Sequence, residues 1–129
     1  LRSLRSLREN ISGYYPPFHN QFIEQIVMHI ISQKRLKEFW VKYPNSQSSL
    51  EIWYNRTKVA QWNNFEELRQ IFPSADQVKN LIVFNIGGNK YRLIALVDFT
   101  YKKVFIRQIL THAEYDKNDW KKDQWFGNK

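Results

Sequence analysis

Six consecutive residues, Thr111-His112-Ala113-Glu114-Tyr115-Asp116, hold four side chains able to move or position a proton. Histidine is the side chain best matched to proton transfer near neutral pH, which makes His112 a candidate acid or base. Tyr115 can donate a proton or stack on a nucleobase. Glu114 and Asp116 can orient His112 or act as base themselves. Upstream lies Phe84-Asn85-Ile86-Gly87-Gly88-Asn89-Lys90-Tyr91-Arg92, two apolar runs around a Gly-Gly-Asn turn, with cations at alternating positions after it. Side chains alternate along a strand, so Lys90 and Arg92 are expected on one face. Two cations side by side on a hairpin suit a phosphate.

These groups match the needs of RNA cleavage without a metal. The ribose 2′-OH is the nucleophile, so the protein supplies a base for its proton and an acid for the leaving 5′ oxygen. Fixed cations stabilise the added negative charge on the phosphorane. Lys90, Arg92 and Arg107 can supply them from adjacent strands whose register the sequence does not reveal. Each residue also has a plainer reading. A lone histidine after a strand is commonly a surface hydrogen-bonding group, and Lys90 and Arg92 can form a solvated strand face. Tyr115 can belong to the core. Asn85 and Asn89 can make turn hydrogen bonds rather than bind substrate.

Other chemistries are poorly supplied. The histidines are His19, His29 and His112, in no metal-binding spacing, and no EF-hand loop is present. Gly-x-Ser-x-Gly is missing, and Gly87-Gly88 lacks the pattern of a phosphate loop. There is no cysteine, which excludes disulfides, thiolate nucleophiles and Cys-based zinc sites, and fits a reducing cytoplasm. Neither a metal nor a cofactor is expected. The net charge of +8 and pI of about 9.8 favour a polyanion as partner: RNA, DNA, a membrane surface or an acidic protein. A basic surface that only confers solubility is the alternative. No apolar run approaches the roughly 20 residues of a membrane span, so no membrane is expected. No apolar stretch follows the opening Leu-Arg-Ser repeat, which argues against a secretory signal.

The elements that must position these residues follow from periodicity. Met28-His29-Ile30-Ile31 reads as a first strand. Ser32 is placed to cap a helix in which Leu36, Phe39, Trp40 and Tyr43 follow the i, i+3, i+4, i+7 pattern, ended by Pro44. Ser48 and Glu51 are spaced as a capping box that opens a second helix, with Leu50, Trp53, Tyr54 and Thr57 on one face. Asn63 or Asn64 starts a third helix over 65–72, stopped by Pro73. Strands are expected over 81–86, 91–97 and 104–110, joined by the Gly-Gly-Asn turn and a polar turn. A short helix or tail carrying Trp120 and Trp125 ends the chain. The fold class is α+β: an N-terminal strand and two to three helices packed on one face of an antiparallel β-meander. The other face is either covered or solvated.

Met28 is the only methionine, and residues 1–27 differ in character from the rest. We read 28–129 as a single domain of 102 residues with a native start at Met28, since 129 residues in all fit one domain. Residues 1–27 are then either a non-native leader or an N-terminal extension; Ile23, Ile26 and Val27 allow a short element that packs on the domain. The basic balance survives without them, since they carry three Arg and two Glu.

From Met28 to about Lys122 the chain resembles the HigB-type toxins of bacterial type II toxin–antitoxin systems, part of the RelE-like group of mRNA interferases. The resemblance rests on His29-Ile30-Ile31-Ser32, Leu36 with Phe39-Trp40, Trp53-Tyr54, Ala60 with Trp62, Phe72-Pro73-Ser74-Ala75-Asp76, Phe84 to Leu93 and Thr111 to Tyr115. It implies a small cytoplasmic endoribonuclease that cuts mRNA during translation on the ribosome. It also implies a HigA-like helix-turn-helix antitoxin, with operator DNA bound only through the toxin–antitoxin complex. By the same resemblance, Lys90, Arg92, Arg107, His112 and Tyr115 line the active surface. Asn85 and Asn89, with Lys102, Lys103, Lys121 and Lys122 outside the site, are candidates for RNA contact. A non-catalytic nucleic-acid-binding module and a decayed toxin are the alternatives.

Overall fold

The computed structural model describes residues 27–127. The readings made above for the leader and for His19 lie outside the described residues. A five-stranded sheet in the order β1-β5-β4-β3-β2 organises the chain. Its strands are β1 (His29–Ile31), β2 (Asp76–Val78), β3 (Leu81–Ile86), β4 (Tyr91–Asp98) and β5 (Lys103–Thr111). Strands β2 to β5 pair antiparallel, and β1 joins β5 in parallel, so the sheet is mixed. Three helices, α1 (Lys34–Lys42), α2 (Gln47–Lys58) and α3 (Phe65–Ile71), supply the main core on one face. Trp53, Phe72 and Phe84 meet there edge to face, at centroid separations of 5.5 Å and 5.2 Å around Phe84, the favoured aromatic geometry.

The second face is covered by the chain's own C-terminal segment. Helix α4 (His112–Asp116) and a 3-10 turn over Asp119–Lys122 fold back, and Trp120 is buried against Leu81, Val83 and Ile94. Asn80, in the β2–β3 turn, anchors this cover by donating to the Trp125 carbonyl (2.7 Å) and accepting from the Gly127 N–H (2.6 Å). Trp120, with Tyr115 and Phe126 packed around it, thus gives the sheet a second buried face.

Local structure departs from expectation at the helix starts. Ser32 does not cap α1: it has φ 73°, and Gln33 takes the N-cap position without a side-chain bond. Ser48 and Glu51 do not form a capping box, because a 3-10 turn at Pro44–Ser46 starts the helical path earlier and leaves Ser48 inside α2. Asn64 caps α3 as expected, accepting from the Glu67 N–H. Strand β2 was not anticipated, since Asp76-Gln77-Val78 is a short polar edge without apolar alternation. The β3–β4 turn is as read: Gly87 and Gly88 sit at φ 63° and 69°, where a side chain would strain the backbone.

Candidate active site

The β3–β4 hairpin and the end of β5 bring the two chemical segments together. Arg92 stands opposite Asn85 on β3 and Leu110 on β5, so these side chains share the face covered by the C-terminal segment. One residue past the ladder, the His112 N–H donates to the Lys90 carbonyl at 2.9 Å. That bond sets His112 beside the hairpin turn. Thr111 then starts α4 with a capping box: its hydroxyl accepts from the Glu114 N–H, and the Glu114 carboxylate accepts from the Thr111 N–H. Glu114 is therefore occupied as a cap and is not the partner or substitute of His112. The Thr-x-x-Glu spacing was a legible signal for this helix start.

Arg92 is the centre of the arrangement. It is only 7% exposed. One terminal nitrogen donates to the carbonyls of Asn89 (3.0 Å) and Tyr91 (3.2 Å). The other donates to Asn89 Oδ1 (2.6 Å) and contacts His112 Nδ1 (3.1 Å). All four acceptors are neutral. No carboxylate lies within ion-pair distance of Arg92 among the described residues. A buried cation without a counter-ion is costly unless the site is built to receive an anion. Asn89 thus acts first as the holder of Arg92; its amide oxygen is committed to the guanidinium rather than to RNA.

The contact with Arg92 fixes the state of His112. A guanidinium only donates, so Nδ1 must accept and carries no proton. The ring proton then sits on Nε2, which faces Asp116 Oδ2 at 3.2 Å across one helical turn. His112 is half-exposed, at 45%, and so remains accessible. Beneath the guanidinium lies the Tyr115 ring, 5.1 Å from Arg92, itself stacked on Trp120 at 5.4 Å. Burial pushes the Tyr115 phenol above its ordinary value, against the lowering effect of the Arg92 charge. The phenol therefore stays protonated at neutral pH.

The remaining candidates divide by place. Lys90 lies in the turn rather than within β4; its side chain is exposed, and its carbonyl accepts from the His112 N–H. The structure does not bring Arg107 to the Arg92–His112 centre. Its guanidinium grips Asp123 through two bonds of 3.1 Å and 3.0 Å and lies 3.9 Å from the Trp125 ring centre. It clips the C-terminal cover to β5. Lys102 is likewise structural: with φ 58°, it donates to the Trp62 carbonyl (2.7 Å) and Asn63 Oδ1 (2.8 Å). Lys103 begins β5 and is exposed, about 26 Å along the strand from Thr111. Lys121 lies over Trp120, and Lys122 reaches Asp119; both are exposed. Among the described residues no three metal-ligating side chains converge, and no helix is long and apolar enough to cross a membrane.

Fold and site together describe a small basic α+β protein with a buried arginine and a tautomer-fixed histidine on one hairpin. A family model described as HigB_toxin, RelE-like toxic component of a toxin-antitoxin system, matches residues 46–118. The chain is 41% identical over 92 residues to the mRNA interferase toxin HigB of Escherichia coli (strain K12), across 69% of this chain and 88% of that protein. Identity and coverage are the same for the mRNA interferase HigB of Shigella flexneri. This chain belongs to the HigB toxin family, the RelE-like toxic components of toxin–antitoxin systems.

Proposed function

We propose that this chain is an mRNA endoribonuclease, with Arg92 and His112 at the point of cleavage. The reading is carried by the Arg92 guanidinium, which is buried among neutral acceptors with no carboxylate among the described residues to balance it. The scissile RNA phosphate would supply that counter-ion. As it draws the guanidinium from Nδ1, the freed lone pair of His112 takes the 2′-OH proton. The 2′ oxygen bonds to phosphorus, the bond to the 5′ oxygen breaks, and that oxygen takes up a proton. The products are a 2′,3′-cyclic phosphate and a free 5′-OH. Tyr115, which keeps its proton at neutral pH, is the candidate donor to the leaving oxygen. Arg92 and the exposed Lys90 stabilise the phosphorane.

Asn85, on the face of Arg92, is assigned to RNA contact near the site, and Lys103, Lys121 and Lys122 to RNA farther out. Action on translated mRNA bound to the ribosome, in the cytoplasm, belongs to the same reading. So does neutralisation by a HigA-like helix-turn-helix antitoxin, whose complex with the toxin binds operator DNA. Residues 28–129 form the toxin domain in this reading, and 1–27 a leader or N-terminal extension.

Purified protein incubated with mRNA in EDTA, with and without translating ribosomes, tests the activity. The expected products carry 2′,3′-cyclic phosphate ends, and a single 2′-deoxy substitution at the cut site blocks them. Intact RNA under both conditions would favour a binding module without catalysis.

A further inference from the structure

A groove of about 510 Å³ runs between α1 and the outer edge of β5. Its origin is topological. Strand β1 pairs only with residues 103–105, while β5 continues to Thr111. Beyond Ile31 the chain leaves the sheet to form α1, so residues 106–111 have no strand on that side among the described residues.

The hydrogen-bond direction of this edge can be read. His112 donates to Lys90 on the β4 side. Backbone groups alternate in an antiparallel pair, so those of Thr111 and Ile109 turn the other way, into the groove. The Thr111 N–H is already taken by Glu114. The Ile109 N–H and carbonyl are left facing the groove. Among the described residues two side chains reach this edge: the Glu114 carboxylate at the Thr111 N–H, and the Arg35 guanidinium, which donates to the Arg107 carbonyl. The floor is apolar where Phe39 and Ile109 line it. The rim carries Lys34, Arg35 and Lys42 against a single carboxylate, Glu38; Arg107 also lines the groove, but its charge is paired with Asp123.

We propose that this groove receives an extended, acidic segment of the antitoxin, added to the sheet as a strand along residues 107–111. A row of backbone donors and acceptors at strand spacing is matched by another peptide chain, whereas RNA makes no use of it. An apolar floor takes alternate side chains of the added strand, and the cationic rim selects Asp and Glu in the others. Docking displaces Arg35 from the Arg107 carbonyl and frees it to pair with an acidic side chain. A strand laid there ends within one residue of His112, so it also covers the approach to the active site. The proposal rests on family membership and not on the catalytic reading.

Hydrogen–deuterium exchange of the full chain, free and bound to its co-expressed cognate antitoxin, tests it without a variant. The Ile109 amide is expected to exchange at least tenfold more slowly in the complex. The triple variant Lys34→Glu/Arg35→Glu/Lys42→Glu is expected to bind the antitoxin at least tenfold more weakly while still cutting RNA. No added protection across 106–111 would overturn the proposal. So would unchanged antitoxin affinity with lost RNA cleavage, which would make the groove an RNA surface instead.

Discussion

Arg92 and His112 share a 3.1 Å contact in which the guanidinium faces Nδ1 of the imidazole. The contact ties Arg92, the one cation buried among the described residues, to the residue best suited to move a proton. Removing either partner should therefore have distinguishable effects. Arg92→Ala is expected to lower the cleavage rate about 10²–10³-fold, the usual cost of deleting a group that stabilises developing negative charge. Arg92→Lys keeps the charge but loses the planar fork that spans Asn89 and His112, and should recover little of that loss. Full activity of Arg92→Lys at equal folded fraction would mean that charge alone is enough.

His112→Ala should cost roughly 10²–10⁴ in rate, the range for a positioned acid or base. Asp116→Asn should cost less, because it only weakens the hold on Nε2. Both groups of that pair are substantially exposed, at 45% and 60%, so the melting temperature should barely move; surface pairs contribute about 0–1 kcal/mol. A large stability loss in Asp116→Asn would show that the residue acts structurally.

Arg107 was a plausible site cation on sequence grounds, and its geometry predicts the opposite behaviour. Arg107→Leu or Asp123→Ala breaks a two-bond pair whose side chains are 17% and 10% exposed. A loss of about 1.5–3 kcal/mol of stability is expected, as for hydrogen bonds to charged groups. Activity measured well below the melting transition should survive. An unchanged melting temperature with lost cleavage would return Arg107 to the catalytic set.

Tyr115 makes alkaline stability informative. Burial raises its ionisation above the ordinary value of 10.0, Arg92 lowers it in part, and Asp76 and Asp116 raise it further. The native state therefore holds the phenolic proton more tightly than the unfolded chain does. That contribution is complete below pH about 10 and is lost as pH rises through the higher native value. Thermal melts at stepped alkaline pH should fall more steeply for the native chain than for Tyr115→Phe. Parallel curves would show that Tyr115 titrates as an ordinary surface tyrosine.

The elements carrying strong periodicity were legible in the sequence. Strand β3 matches its expected bounds, and α1 and α2 bury the anticipated Leu36, Leu50, Trp53 and Thr57. Arg92, His112 and Tyr115 were identified from type and spacing, and the ladder brings them together. The register between β4 and β5 was not legible, because it depends on an irregularity at Ile94/Ala95 that no local pattern announces. That irregularity lies beside the segment holding Arg107, which pairs with Asp123 instead of joining the site. The role of Asn89 was hidden for a related reason: turn asparagines usually serve the backbone, and only the fold shows Asn89 holding a buried arginine. The covered second face was left open because Trp120 and Trp125 sit in a segment without a repeating apolar stripe.

The central claim, that Arg92 and His112 form the cleavage centre of an mRNA endoribonuclease, is tested most directly by mapping mRNA 5′ ends in bacteria. Cells would express the full chain, Arg92→Ala or His112→Ala at matched soluble levels. The account predicts new ends inside coding regions with the native chain and near-complete loss of those ends in both variants. Identical cut sites and frequencies in all three would contradict it.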